Sequence, residues 1–92
     1  MSKTRIAERL KGVSMIVKII EVKDVKTQEP THQRIIGNER KLLIIGNHVY
    51  LEYIDGSNKR RRTTQLQKIM IEDNTIYITT CNSIYKLEII RL

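Results

Sequence analysis

The chain has 92 residues, enough for one small domain with a modest core, since a chain this size buries only about two-thirds of its unfolded surface. It carries 17 Lys and Arg against 10 Asp and Glu, a formal net charge of +7, with one cysteine, no Trp and no Phe. A lone Cys81 excludes an internal disulfide, no run nears the roughly 18 apolar residues of a membrane span, and no apolar signal core follows Met1. The expectation is a cytoplasmic protein, with a homodimer left open.

Residues 2–11 read as a short helix. Ser2 suits the cap, Ile6 and Leu10 share a face at i,i+4, and Gly12 suits the residue after the end. So short a helix depends on docking Ile6, Ala7 and Leu10 onto another element. Val13 to Val22 reads as a strand, with Val13, Met15, Val17 and Ile19 on one face and Ile16, Ile20 and Val22 on the other. The adjacent Ile19-Ile20 breaks the alternation and predicts a bulge or a strand buried on both faces. Asp24 to Arg34 has no periodicity, contains Pro30, and reads as a loop.

Arg34-Ile35-Ile36-Gly37-Asn38 is echoed by Leu43-Ile44-Ile45-Gly46-Asn47, and each copy ends in a pair suited to a type II′ hairpin turn. The second copy is the stronger hairpin because Val49–Ile54 supplies a returning strand. There Val49, Leu51 and Tyr53 face one way, and His48, Tyr50, Glu52 and Ile54 the other. Asp55-Gly56 signals the next turn. A loop of two residues (Asp55-Gly56) or four (Asp55–Asn58) puts Arg60 and Arg62 on the Val49/Leu51/Tyr53 face. Either loop puts Lys59 and Arg61 beside Glu52 and Tyr50. Arginines are not buried bare, so the strand at 60–65 is expected at a sheet edge, where its charges also oppose edge-to-edge pairing.

Lys68–Ile71 and Thr75–Thr80 form a further hairpin over Glu72-Asp73-Asn74, with Ile69 and Ile71 meeting Ile76 and Ile78. After a turn at 81–83, Ile84–Ile90 places Tyr85, Leu87 and Ile89 on one face. The pattern Ile76-x-Ile78-x-Thr80-x-Asn82-Ser83-x-Tyr85-x-Leu87 resembles the closing hairpin of many small bacterial and phage proteins, and implies no activity. About seven strands follow one helix. The fold class expected is mainly β: a short N-terminal helix, then an antiparallel meander closing into a small barrel or roll, SH3-like.

His32, His48 and Cys81 have neither zinc-site nor catalytic spacing, and the glycines punctuate hairpins rather than cradle phosphates. No catalytic residue, metal or cofactor is expected. Residues 59–68 hold five cations and no acid, whereas residues 72–92 hold Lys86 and Arg91 against Glu72, Asp73 and Glu88. Lys59, Arg60, Arg61, Arg62 and Lys68, with Tyr50 on the neighbouring strand, make the candidate binding strip. Arg40 and Lys41 extend it if their strand lies alongside. Cations that hold phosphates beside a ring that stacks a base are what single-stranded nucleic acid requires. The reading is a non-enzymatic basic domain binding RNA or single-stranded DNA through an Arg/Lys-rich hairpin edge. Two alternatives stand beside it. One is a phage- or plasmid-encoded inhibitor, anti-CRISPR-like, docking on an acidic protein or ribonucleoprotein surface. The other is a sponge for a small phosphorylated nucleotide signal.

Overall fold

Side chains on a strand alternate between faces, so each apolar alternation in this chain commits one face to a common interior. The computed structural model describes residues 15–57 and 59–91, and the helix read over 2–11 lies outside them. Six antiparallel strands follow one another: β1 (Met15–Asp24), β2 (Glu39–Ile45), β3 (His48–Glu52), β4 (Arg60–Glu72), β5 (Thr75–Thr80) and β6 (Ser83–Arg91). Each pairs with the next, and β6 returns to pair with β1, which closes the meander into a barrel. The interior is filled by Met15, Val17, Ile19 and Val22 of β1, Leu42 and Ile44 of β2, and Val49 and Leu51 of β3. Ile69, Ile76, Ile78, Tyr85 and Leu87 complete it from the other three strands. Among the described residues, no helix is long and apolar enough to cross a membrane.

Six strands replace the seven expected because the segments at 60–65 and 68–71 are one strand. Gln65-Leu66-Gln67 breaks the apolar pattern but not the ladder. β4 runs on through irregularities opposite His48/Tyr50 and between Leu66 and Lys68. Its first half pairs with β3 and its second half with β5, so a single bent strand serves both sides of the ring. The bulge read from Ile19-Ile20 is present as a register shift between Ile19 and Glu21. It turns Val22, expected opposite Ile19, onto the same buried face.

The turns differ in chemistry. Ile45 pairs with His48 across Gly46-Asn47, and Gly46 has φ +61° while Asn47 stays at negative φ, as a II′ turn requires. The first Gly-Asn copy makes no hairpin. Gly37 donates its N–H to Ile19 O and Ile19 donates to Asn38 O, which leads a 3-10 turn over Gln33–Ile35 into β2. Ile35 and Ile36 pack against the core from this connection. At the β5–β6 turn, the buried Thr80 hydroxyl acts as a clasp. It accepts from the Thr64 hydroxyl at 2.8 Å and from the Ser83 N–H at 3.2 Å, and donates to Ser83 O. Asn82 N–H donates to the Thr64 hydroxyl, so the turn is fixed to β4 as well.

Two stability changes are expected. Thr80→Val leaves a buried Ser83 N–H and the Thr64 hydroxyl without their acceptor, and should cost about 1–3 kcal/mol in urea unfolding. Asp73 opens the two-residue β4–β5 turn at φ +56°, a conformation favourable to glycine. Asp73→Gly should therefore raise stability by about 0.5–1 kcal/mol in the same measurement, with the structure unchanged.

Candidate nucleic-acid and anion interface

The side chains of β3 and β4 are sorted by one register. Leu51 lies opposite Arg61, Glu52 opposite Arg60, and Tyr50 opposite Arg62. Tyr53 donates its N–H to Lys59 O at 2.8 Å, so the connection spans five residues, 54–58. An odd loop reverses the parity that a two- or four-residue turn would give. Arg60 and Arg62 therefore lie on the Tyr50 face, and Arg61 lies on the Leu51 face. Both assignments are opposite to the sequence expectation. The physical reason sits at Asp55-Gly56. Asp55 accepts the Ser57 N–H at 2.9 Å and Lys59 N–H is held by the Ser57 hydroxyl, which makes a wide loop of its own instead of a tight hairpin turn. Ser57, through its hydroxyl and its N–H, holds the Asp55 carboxyl below the ordinary carboxylate range.

The expected edge is half present. Residues 60–65 take ladder partners only from β3 and residues 66–72 only from β5. On the β5 side, no strand pairs with Arg60–Thr63 among the described residues.

The predicted strip consequently divides into three. On the outer face, Arg60 forms an ion pair with Glu52 at 3.0 Å and its guanidinium lies 5.3 Å from the centroid of the half-buried Tyr50 ring. Arg62, exposed, lies opposite Tyr50 in the ladder and makes no ion pair among the described residues. Lys41 lies across from Glu52 on the other side, and with Ile16, Tyr53, Ile54 and Gly56 these two line a groove of about 230 Å³. At the mouth, Arg40 points inward and is only 8% exposed, its guanidinium stacked 3.8 Å from the centroid of the Tyr53 ring. Arg61 reaches across the mouth to His32, with Nη2 at 2.8 Å from Nδ1. Lys59 is exposed in the loop beside Tyr53. Lys68 belongs to neither group. It sits past the second irregularity of β4, opposite Thr79, six residues and so roughly 20 Å along the strand from Arg62.

Arg40, named in sequence only as an extension of the strip, thus becomes the buried member of a second group. That was legible in principle, because Arg40, Leu42 and Ile44 share one parity on β2 and the last two are core. His32 carried no signal: it is a loop residue 29 positions from its partner. Its backbone is left-handed, φ +52°, which holds the ring in this place. Burial, then the Arg61 charge, keep the His32 imidazole below its ordinary pKa of 6.5. A neutral ring can accept from Arg61. His48 starts β3 half-buried, and the exposed Cys81 accepts from Gln67 Nε2 at 3.2 Å. Among the described residues, no three His, Cys, Asp or Glu side chains gather as metal ligands.

Residues 39–62 hold six Lys and Arg against Glu39, Glu52 and Asp55, while residues 63–91 hold three against three. Comparison with protein families, with curated proteins and with solved structures finds no match to this chain.

The His32 contact has a pH signature. Unfolded, His32 takes up its proton near pH 6.5; folded, it does so at lower pH. The folded state thus binds fewer protons in that window, and stability present above about pH 6.5 is lost as pH falls through the folded value. His32→Asn keeps a residue tolerant of the left-handed backbone but removes the titration. Between pH 7 and 5 the melting temperature of the parent protein should fall further than that of the variant. Parallel melting curves would refute the role of the contact.

Proposed function

We propose that this is a non-enzymatic, cytoplasmic basic domain that binds single-stranded nucleic acid, RNA or single-stranded DNA, along the outer face of the β3–β4 hairpin. The observation that carries the reading is the Tyr50 ring with the Arg60 guanidinium 5.3 Å from its centroid and the exposed Arg62 opposite it on β4. A ring with two cations beside it on the neighbouring strand can stack one base while the guanidiniums hold the neighbouring phosphates. Lys41 extends this face beyond Glu52. Glu52 anchors Arg60 over the ring, and at the same time neutralises part of its attraction for phosphate. The SH3-like character of the barrel belongs to the same proposal, and rests on the small bent meander and the 3-10 turn between β1 and β2.

A second reading is favoured by a different observation, the open backbone of Arg60–Thr63. A partner protein with an acidic extended segment could add a strand there. A small inhibitor of a nucleic-acid-handling complex would dock in this way.

Titration of labelled single-stranded RNA, single-stranded DNA and duplex at two salt concentrations tests the proposal. Arg60→Ala with Arg62→Ala should weaken single-strand binding and reduce the salt slope by about 0.7 for each phosphate no longer held. Tyr50→Ala should cost about 1–3 kcal/mol of single-strand affinity and leave the salt slope near its parent value. Negligible affinity for every nucleic acid at physiological salt would reject the reading in favour of the protein partner.

A further inference from the structure

We infer that the mouth of the barrel, at Arg40, Arg61 and Tyr53, is a binding site for a phosphate monoester. It is separate from the outer strip and does not depend on it. The supporting feature is a buried charge with no counter-charge among the described residues. Arg40 is 8% exposed, and its hydrogen bond is a long one, 3.4 Å from Nη1 to Glu39 O. No carboxylate forms an ion pair with it or with Arg61 among the described residues. Glu39 precedes Arg40 on β2 and offers it only its backbone carbonyl; Asp55, the acid nearest Arg61 in sequence, is occupied by Ser57. A guanidinium withdrawn from water without a partner destabilises the fold, and replacing such a group by an apolar one of similar volume is commonly neutral or stabilising. A charge held at that cost is accounted for when a ligand supplies the missing anion.

The groups around it are arranged for an oxyanion. Tyr53 stacks on the Arg40 guanidinium plane, which fixes its orientation and leaves its edge to bond. Arg61 lies on β4, with β3 between it and Arg40, on the same inward face. His32 takes one N–H of Arg61 and leaves the other donors of that guanidinium uncommitted. Two forked donors and no acid favour a dianionic terminal phosphate over the monoanionic diester of a strand interior. Such a phosphate could end a nucleic acid strand or belong to a free mononucleotide, and the chemistry recognised is the same.

The test uses the full chain. Binding of one oligonucleotide sequence, bearing either a 5′-phosphate or a 5′-hydroxyl, is compared by fluorescence anisotropy at matched ionic strength. Thermal melting is followed with adenosine 5′-monophosphate and with adenosine as its control. The phosphorylated strand, the monophosphate, or both should bind at least about tenfold tighter than the partner lacking phosphate. A gain for the strand alone assigns the site to strand ends; a gain for the monophosphate assigns it to a free ligand. Arg40→Met and Arg61→Gln should each abolish that preference. Arg40→Met should also melt at the parent temperature or above it, which a purely structural arginine would not do. Equal binding with and without phosphate in both formats, or a preference that survives both substitutions, overturns the proposal. The outer strip is read separately from the hydroxyl-terminated strand, whose binding depends on Arg60, Arg62 and Tyr50 and not on the mouth.

Discussion

The register between β3 and β4 decides the character of this surface. With Glu52 opposite Arg60, three consecutive arginines are distributed so that two attend Tyr50 outside and one faces inward beside Leu51. A shift of one residue would exchange all of them. Nothing in the arginines themselves prefers this arrangement. It is imposed by the five residues between Tyr53 and Lys59, where Asp55 and Ser57 bond to the backbone of their own loop. A small set of polar bonds, remote from any ligand, thus fixes which charges can act together.

The inner face has a compositional gradient. Leu42, Leu51 and Val17 form the barrel core, and the next layer toward the mouth is Arg40, Tyr53 and Arg61. In a chain of this size the core has little surplus stability, so placing a guanidinium at its end is a substantial concession. The aromatic face of Tyr53 offsets part of it. Ile35 and Ile36 pack against the core from the β1–β2 connection, which His32 ties to β4 through Arg61.

Much of this was legible in the chain. The inward sets of β3, β5 and β6, the Gly46-Asn47 turn, the Ile69–Ile78 and Ile71–Ile76 pairs and the bulge after Ile19 follow from period-two alternation and turn chemistry. The failures have a common cause. Alternation identifies faces within a segment, but loop length and bulges decide how faces of different segments correspond. The Asp55-Gly56 signal marks a turn without counting its residues. Gln65–Gln67 reads as an interruption because bulges and polar outward positions look alike in sequence. The Arg61–His32 contact and the partition of the basic strip are tertiary facts, set by where the β1–β2 connection crosses the mouth.

The pairing of β6 with β1 carries a consequence for how the molecule is made. Every other strand pair is between neighbours in sequence and can form as soon as both strands exist. The final seam joins the two ends of the meander, so it bears the largest loop-closure cost and has no local substitute. Until Ser83–Arg91 is synthesised, β1 and β5 both present unpaired edges. Folding of this chain therefore has a late, non-local step. During that interval its vulnerability lies in Val17, Ile19 and Val22, core residues of a strand whose final neighbour is the last to arrive.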